Sequence, residues 1–233
     1  MGKNVIIACD FSSREETLSF LDKMGAARPY VKIGMELFYA AGPDMVRELK
    51  DRGHQVFLDL KLHDIPHTVQ RAMSVLSRLG ADILNLHAAG TIDMMKAALE
   101  GAVRPDGSRP LVIAVTQLTS TSEERMRKEL LIDATLPETV TAYAGNARLA
   151  GLDGVVCSPL EAGLIHSACG SGFLTVTPGV RFADGNLDDQ VRVATPERAK
   201  ELGSDYIVVG RPITQAADPL SAWQRCVREF VDQ

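Results

Sequence analysis

Arg52-Gly53-His54-Gln55-Val56-Phe57-Leu58-Asp59-Leu60-Lys61-Leu62-His63-Asp64-Ile65-Pro66 holds one whole junction of the chain: a helix end, a glycine, a short strand and the entry to the next helix. Asp44–Arg52 has the pattern of an amphipathic helix, and Gly53 stands just past it, where helices commonly stop on a left-handed residue. Gln55–Leu60 is short and mostly apolar, as a buried strand is. Leu79-Gly80, Ala150-Gly151 and Leu202-Gly203 repeat the same punctuation, each shortly before another strand candidate. One supersecondary unit is reused along the chain.

Outward from this junction, the strand candidates are Val5–Cys9, Tyr30–Ile33, Gln55–Leu60, Ile83–His87, Leu111–Thr116, Gly154–Cys157, Leu174–Thr177 and Tyr206–Val209. Helical patterns alternate with them at Glu15–Met24, Asp44–Arg52, Thr68–Leu79, Ile92–Val103, Thr139–Ala150, Pro159–Cys169, Pro196–Leu202 and Pro219–Val231. Eight β-then-α units imply parallel strands joined by helical crossovers. They predict a closed (β/α)₈ TIM barrel, one α/β domain over residues 1–233, because no G-x-G-x-x-G follows the first strand as an open Rossmann sheet would require. Two connections are longer than packing needs: Leu118–Leu136, with an extra helix expected in its charged run Ser122–Glu129, and Gly179–Val193, containing Asp184-Gly185-Asn186. In a barrel both follow strands onto the active-site face, although both also read as tolerated surface insertions.

Composition narrows the function. Thirty acidic and 25 basic side chains give a net charge of −5, a poor field for general nucleic-acid binding. A bound anion must meet a few placed cations and backbone amides. With 45% apolar residues the chain can bury a core, yet no stretch approaches the roughly 20 apolar residues of a membrane span. The apolar run before Cys9-Asp10 is too short for a signal peptide. Cys9, Cys157, Cys169 and Cys226 form no CxxC pair and read as reduced thiols of a cytoplasmic protein. His54, His63, His67, His87 and His166 form no HxH or HExxH pattern, so no metal site is expected.

Barrel strands fill the interior with apolar side chains, so polar residues at their C-terminal ends are the functional candidates. These are Asp10, Lys32, the Asp59–Asp64 run, His87, Thr116, Ser158, Thr177 and Gly210-Arg211. Alternation along the third strand puts Phe57, Asp59 and Lys61 on one face and Leu58, Leu60 and Leu62 on the other. Asp59 and Lys61 then point into the barrel mouth, where an unpaired charge costs several kcal/mol. Taken singly, each has a structural reading: Asp59–Lys61 an ion pair, Asp64 a helix N-cap, Lys32 the end of an exposed strand. Together, Lys32, Asp59, Lys61 and Asp64 are four charges of alternating sign at neighbouring strand ends, a costly way to build a fold and a good way to build an electrostatic site.

Asp59-Leu60-Lys61-Leu62-His63-Asp64-Ile65-Pro66 resembles the D-x-K-x-x-D-I-P signature of the orotidine 5′-phosphate decarboxylases. The likeness extends in order through Asp10, Lys32 in Val-Lys-Ile-Gly, Thr116-Gln117-Leu118-Thr119-Ser120, Thr177-Pro178-Gly179-Val180-Arg181 and Val209-Gly210-Arg211-Pro212-Ile213. It implies cofactor-free decarboxylation of orotidine 5′-monophosphate to UMP and CO₂, with no metal. Lys61 would stabilise the carbanion and protonate C6, Asp59 would sit beside the departing carboxylate, and Lys32 and Asp64 would complete the network. The implied substrate-binding set is Asp10, Lys32, Ile65, Thr68, Thr119, Pro178, Arg181, Gln190, Gly210 and Arg211, with phosphate on Gly210 and Arg211 and pyrimidine near Thr119. The resemblance also implies a homodimer in which Asp64 enters the neighbouring subunit's site. Arg181 equally reads as a solvated loop cation, and His63, His67 and His87 as structural histidines.

Three rivals stand beside this reading. A Mg²⁺-dependent sugar-phosphate decarboxylase or aldolase of the same suprafamily would carry an acidic metal ligand where this chain has Lys32. A Schiff-base aldolase using Lys61 is disfavoured by Asp59 two residues away. A non-catalytic phosphate-binding barrel would keep Arg211 but has no need of the four charges.

Overall fold

In the computed structural model, which describes residues 2–183 and 193–232, each strand lies parallel to its neighbours in chain order, and the eighth returns to pair with the first. The strands are β1 Asn4–Ala8, β2 Tyr30–Gly34, β3 Val56–Leu62, β4 Ile83–His87, β5 Leu111–Val115, β6 Gly154–Val156, β7 Leu174–Thr177 and β8 Tyr206–Val209. The result is the expected closed TIM barrel, and strand boundaries differ from the sequence reading by one or two residues.

Alternation sorts the apolar side chains into two clusters. Ile6, Ala8, Tyr30, Phe57, Ile83, Ile113, Leu174, Val176 and Val208 fill the barrel interior. Their strand neighbours, such as Ile7, Leu58, Leu84 and Val209, join the larger cluster beneath the helices. The two helices after β3 and β4, Pro66–Leu76 and Thr91–Ala102, meet almost backbone to backbone, because a Cβ at Gly101 would lie 2.1 Å from the Gln70 carbonyl oxygen.

The reused junction has a common geometry. Gly53, Gly80, Gly151 and Gly203 all adopt left-handed φ, between +86° and +92°. At Gly53 the glycine N–H donates to Lys50 O and the next N–H, of His54, to Leu49 O; the same two bonds recur at Gly151 and Gly203. Two residues beyond three of these glycines stands an aspartate. Asp82, Asp153 and Asp205 each accept the N–H of a residue at the start of the preceding strand, Val56, Val112 and Thr175, at 2.7, 2.7 and 2.8 Å. Each also meets a basic side chain: Lys50 at 2.7 Å, Arg109 at 2.9 Å and His166 at 3.0 Å. These clamps tie the strand starts together at the end of the barrel opposite the strand C-termini, leaving the other rim to the loops.

Two helices add to the sequence reading. Met35–Ala41 follows β2 without a spacer, where no helix was expected, and Arg211–Thr214 follows β8 after the single residue Gly210. The expected extra helix forms at Glu123–Glu129, its charges paired along its own exposed side through Arg127–Glu123, Lys128–Glu124 and Arg125–Glu129.

Candidate active site

A cleft of about 580 Å³ opens at the C-terminal ends of the strands, a size suited to a small-molecule ligand. Asp10, Lys32, Asp59 and Lys61 line one side; Thr119, Pro178, Arg181, Gly210 and Arg211 line the other.

The first side is a chain of alternating charge running across β1, β2 and β3. Lys32 Nζ lies 2.9 Å from Asp10 Oδ1 and 3.3 Å from Asp59 Oδ2, and Lys61 Nζ lies 2.6 Å from Asp59 Oδ1. The side chains of Asp59 and Lys32 are only 10% and 12% exposed, that of Lys61 26%. Burial alone would lower the Lys32 ammonium, but Asp59 and then Asp10 outweigh it and hold the group above its ordinary value. Burial likewise pushes Asp59 up, yet Lys32, Lys61 and hydrogen bonds from Lys61 and Asn85 hold it below the usual carboxylate range. Both groups are therefore charged at neutral pH. Gly34 leaves room for the array: a Cβ there would press to 3.3 Å from Asp10 Oδ1 and 3.5 Å from Lys32 Nζ.

Asp59 and Lys61 do converge on the cleft, but not by the simple alternation expected of them. β3 runs to Leu62 and breaks register on the way. Leu58 pairs with Leu84 and Leu62 with Leu86, so Asp59, Leu60 and Lys61 stand opposite Asn85 alone. Lys61 takes a left-handed φ of +51°, a conformation costing roughly 1–3 kcal/mol in a residue other than glycine. Such bulges re-aim side chains next to active sites. Asn85, absent from the sequence-derived set, is buried there; its amide donates to Asp59 Oδ1 at 2.6 Å and its oxygen accepts the Lys61 N–H at 2.9 Å.

Asp64, the fourth charge of the expected quartet, makes no link to the other three within its own chain, as a place in a neighbouring subunit's site allows. Its carboxylate accepts the Ile65 N–H at 2.6 Å, and no hydrogen bond or ion pair joins it to Lys32 or Lys61. Nor is it a helix cap, since the cap position of Pro66–Leu76 falls on Ile65 and no side chain fills it. Ile65, 66% exposed, and Thr68 lie beside it on the surface, outside this cleft.

Across the cleft, Arg181 is only 9% exposed, so it is not a solvated loop cation. A Cβ at Gly210 would meet only Ala8 Cβ, at 3.5 Å, so the space above that backbone is kept open by the cleft rather than demanded by packing. Gln190 lies outside the described residues. Gln117, buried and lining the cleft just past β5, went unremarked in the sequence except as part of a matching segment.

Other candidates serve the fold. The hydroxyls of Thr116, Ser158 and Thr177 are engaged with Val156 O, Leu160 N and the Ser204–Tyr206 backbone and side chain respectively. His63 and His87 lie with ring centroids 5.6 Å apart and their planes tilted by 35°, and burial, then His63 and Lys61, lower His87 below its ordinary value. His67 is exposed. Burial pushes the Cys9 thiol up to about 12, which removes it as a nucleophile. Among the described residues no cluster of three or more His, Cys, Asp or Glu side chains is placed to hold a metal ion.

A pH dependence follows from Asp59. Because its value in the fold is depressed, its ionised form stabilises the protein at all pH above the ordinary carboxylate range, and this contribution is lost as pH falls through the lowered value. Asp59→Asn should therefore cost roughly 3 kcal/mol near neutrality, leaving Lys32 and Lys61 without their shared partner. Thermal unfolding across pH should show a constant gap from wild type between about pH 5 and 8 that closes below about pH 4. A gap that widened in acid would contradict the assignment.

Fold and site together define a TIM-barrel enzyme whose strand ends hold a fixed array of charge. The sequence profile of the orotidine 5′-phosphate decarboxylase / HUMPS family matches residues 3–226. The chain is 54% identical over 233 residues to an orotidine 5′-phosphate decarboxylase of Geobacillus sp. (strain WCH70), covering 99% of this chain and 98% of that one. It is 56% identical over 228 residues to the protein of the same name from Bacillus caldolyticus, covering 97% and 93%. The crystal structure of orotidine 5′-phosphate decarboxylase from Lactobacillus acidophilus superposes with a TM-score of 0.88 at 42% identity, covering 98% of this chain and 99% of that one. The chain belongs to the orotidine 5′-phosphate decarboxylase / HUMPS family.

Proposed function

We propose that the protein converts orotidine 5′-monophosphate to UMP and CO₂ without a metal or organic cofactor. The observation that carries this reading is the Asp10–Lys32–Asp59–Lys61 array, four linked charges lining a cleft whose far side presents Arg211. The relatives that match nearly the whole chain bear the name of that activity.

The chemistry explains why charge is what the site needs. Heterolysis of the C6–carboxylate bond leaves its electron pair on C6 in the ring plane, orthogonal to the π system, with no adjacent ketone to delocalise it. Enzymes lower the barriers of such slow reactions by up to roughly 23 kcal/mol. Here an ammonium fixed before the substrate arrives supplies stabilisation that water would have to reorganise to give. Lys61 Nζ faces the developing pair and passes one N–H proton to C6; the resulting amine regains a proton from solvent. Asp59 beside the substrate carboxylate adds repulsion that falls as CO₂ departs, a smaller contribution. Asp10 and Lys32 take the ribose hydroxyls, Thr119 and Pro178 border the pyrimidine, and Gly210, Arg211, Arg181 and Gln190 hold the phosphate, where barrels commonly bind one.

The same reading makes the working unit a homodimer in the cytoplasm. Asp64, Ile65 and Thr68 are exposed and lie outside their own chain's cleft, and the helix after β2 exposes Met35 and Tyr39. On this reading a second copy covers these residues and receives Asp64 in its own site. The four cysteines are buried and form no disulfide, which suits a reducing compartment. Among the described residues no helix is long and apolar enough to cross a membrane.

The Mg²⁺-dependent alternative has little room. The Lys32 ammonium already sits between the carboxylates of Asp10 and Asp59, where a cation would need to bind. The test is to follow pyrimidine absorbance after adding orotidine 5′-monophosphate with EDTA present. Unchanged turnover to UMP supports the proposal. Loss on chelation, reversed by Mg²⁺, supports the metal enzyme, and UMP binding without turnover supports a binding barrel.

A further inference from the structure

We propose that Asn85 is a positioning residue that holds Asp59 and Lys61 in their reactive geometry by binding both at once. The inference rests on the decarboxylase reading of the site and assigns a role within it to a side chain that touches the array rather than the cleft. Asn85 is the single β4 residue opposite the bulge of Asp59, Leu60 and Lys61. Where the bulge takes the Lys61 N–H out of the strand ladder, the Asn85 side-chain oxygen accepts it at 2.9 Å. The amide nitrogen donates to Asp59 Oδ1 at 2.6 Å, on the same oxygen that receives Lys61 Nζ at 2.6 Å. Those partners fix the amide's orientation, because a backbone N–H can only donate and a carboxylate only accept. One planar group thus supports the left-handed turn at Lys61 and sets the rotamer of its counter-ion. Oxygen and nitrogen are both needed, and no other residue type of this size offers both.

The charged and titratable groups around it are Asp59 and Lys61 on β3, Lys32 on β2 bound to Asp59, and the His87–His63 pair coupled to Asp59 and Lys61; its β5 partner is Ile113. Asn85→Asp keeps the volume and the acceptor for Lys61 but loses the donor to Asp59 unless the new carboxyl is protonated. Relative to wild type at each pH, its kcat for orotidine 5′-monophosphate should fall at least 100-fold near pH 8 with KM changed less than threefold, and the deficit should shrink as pH is lowered toward 5. Asn85→Ser, which cannot bridge both partners, should lose kcat similarly at all pH. A packing role alone would lower thermal stability and leave the kcat ratio independent of pH. Wild-type kcat in folded Asn85→Asp, or a deficit that does not vary with pH, would overturn the proposal. Should neither variant fold, amide exchange in the wild-type protein decides: the Lys61 N–H should be protected, and exchange at the rate of an exposed amide would refute the bridge. An inactive wild-type protein would instead count against the decarboxylase reading itself.

Discussion

Lys61→Ala should bring UMP formation down by roughly 10⁵-fold or more, since one substitution removes both the charge facing the carbanion and the proton it receives. Binding should persist. The residues proposed to bind phosphate, Gly210 and Arg211, and ribose, Asp10 and Lys32, sit on or just past strands other than β3, so the affinity for UMP, measured by calorimetry, should change less than tenfold. The split is the informative part. An interaction made only in the transition state appears in kcat, whereas one made equally with the ground state appears in KM. Turnover like that of wild type would refute the proton-donor role, and loss of UMP affinity in step with kcat would make Lys61 a binding residue.

Asp64→Asn and Lys61→Ala subunits should each be inactive alone and recover activity when mixed. If Asp64 completes the partner's site, a heterodimer of the two variants contains one site carrying both defects and one carrying neither. Random assortment makes half of the dimers heterodimers, each with one sound site, so an equal mixture should reach about a quarter of wild-type specific activity after subunit exchange. The expectation comes from the position of Asp64, whose carboxylate bonds to Ile65 N–H and stands apart from Lys61 of its own chain. An equal mixture as inactive as its components, with heterodimers demonstrated by native mass spectrometry, would place Asp64 in its own subunit's site or in none.

Much of the fold was legible in the sequence, because its signals are local. The glycines after four helices need left-handed backbone, and each has it. Strands of three to seven residues with apolar interiors announced themselves by composition and spacing. The helix Met35–Ala41 was not legible, since Gly34 leads into it without a capping side chain or any turn residues between strand and helix. Strand-end position led to residues that do share one cleft, and Lys32, Asp59 and Lys61 are joined as their alternating signs implied, whereas the link from Lys32 to Asp10 was not foreseen. Asp59 and Lys61 were placed correctly for an incomplete reason, because a left-handed Lys61 inside a strand leaves no mark in composition. Asn85 did leave one. A lone amide in Ile83-Leu84-Asn85-Leu86-His87 shares the inward face with Ile83, where a buried polar group must find partners. Charge pattern alone could not separate Asp64 from the others, since it says nothing about which way a chain leaves its strand; only the family resemblance set it apart.

The most direct measurement is a crystal structure of the protein with UMP bound. The account predicts Lys61 Nζ within about 3.3 Å of the pyrimidine C6, the distance at which a proton can pass, with the phosphate against Gly210 and Arg211. A nucleotide seated with its pyrimidine edge turned away from the β3 ammonium and carboxylate would contradict it.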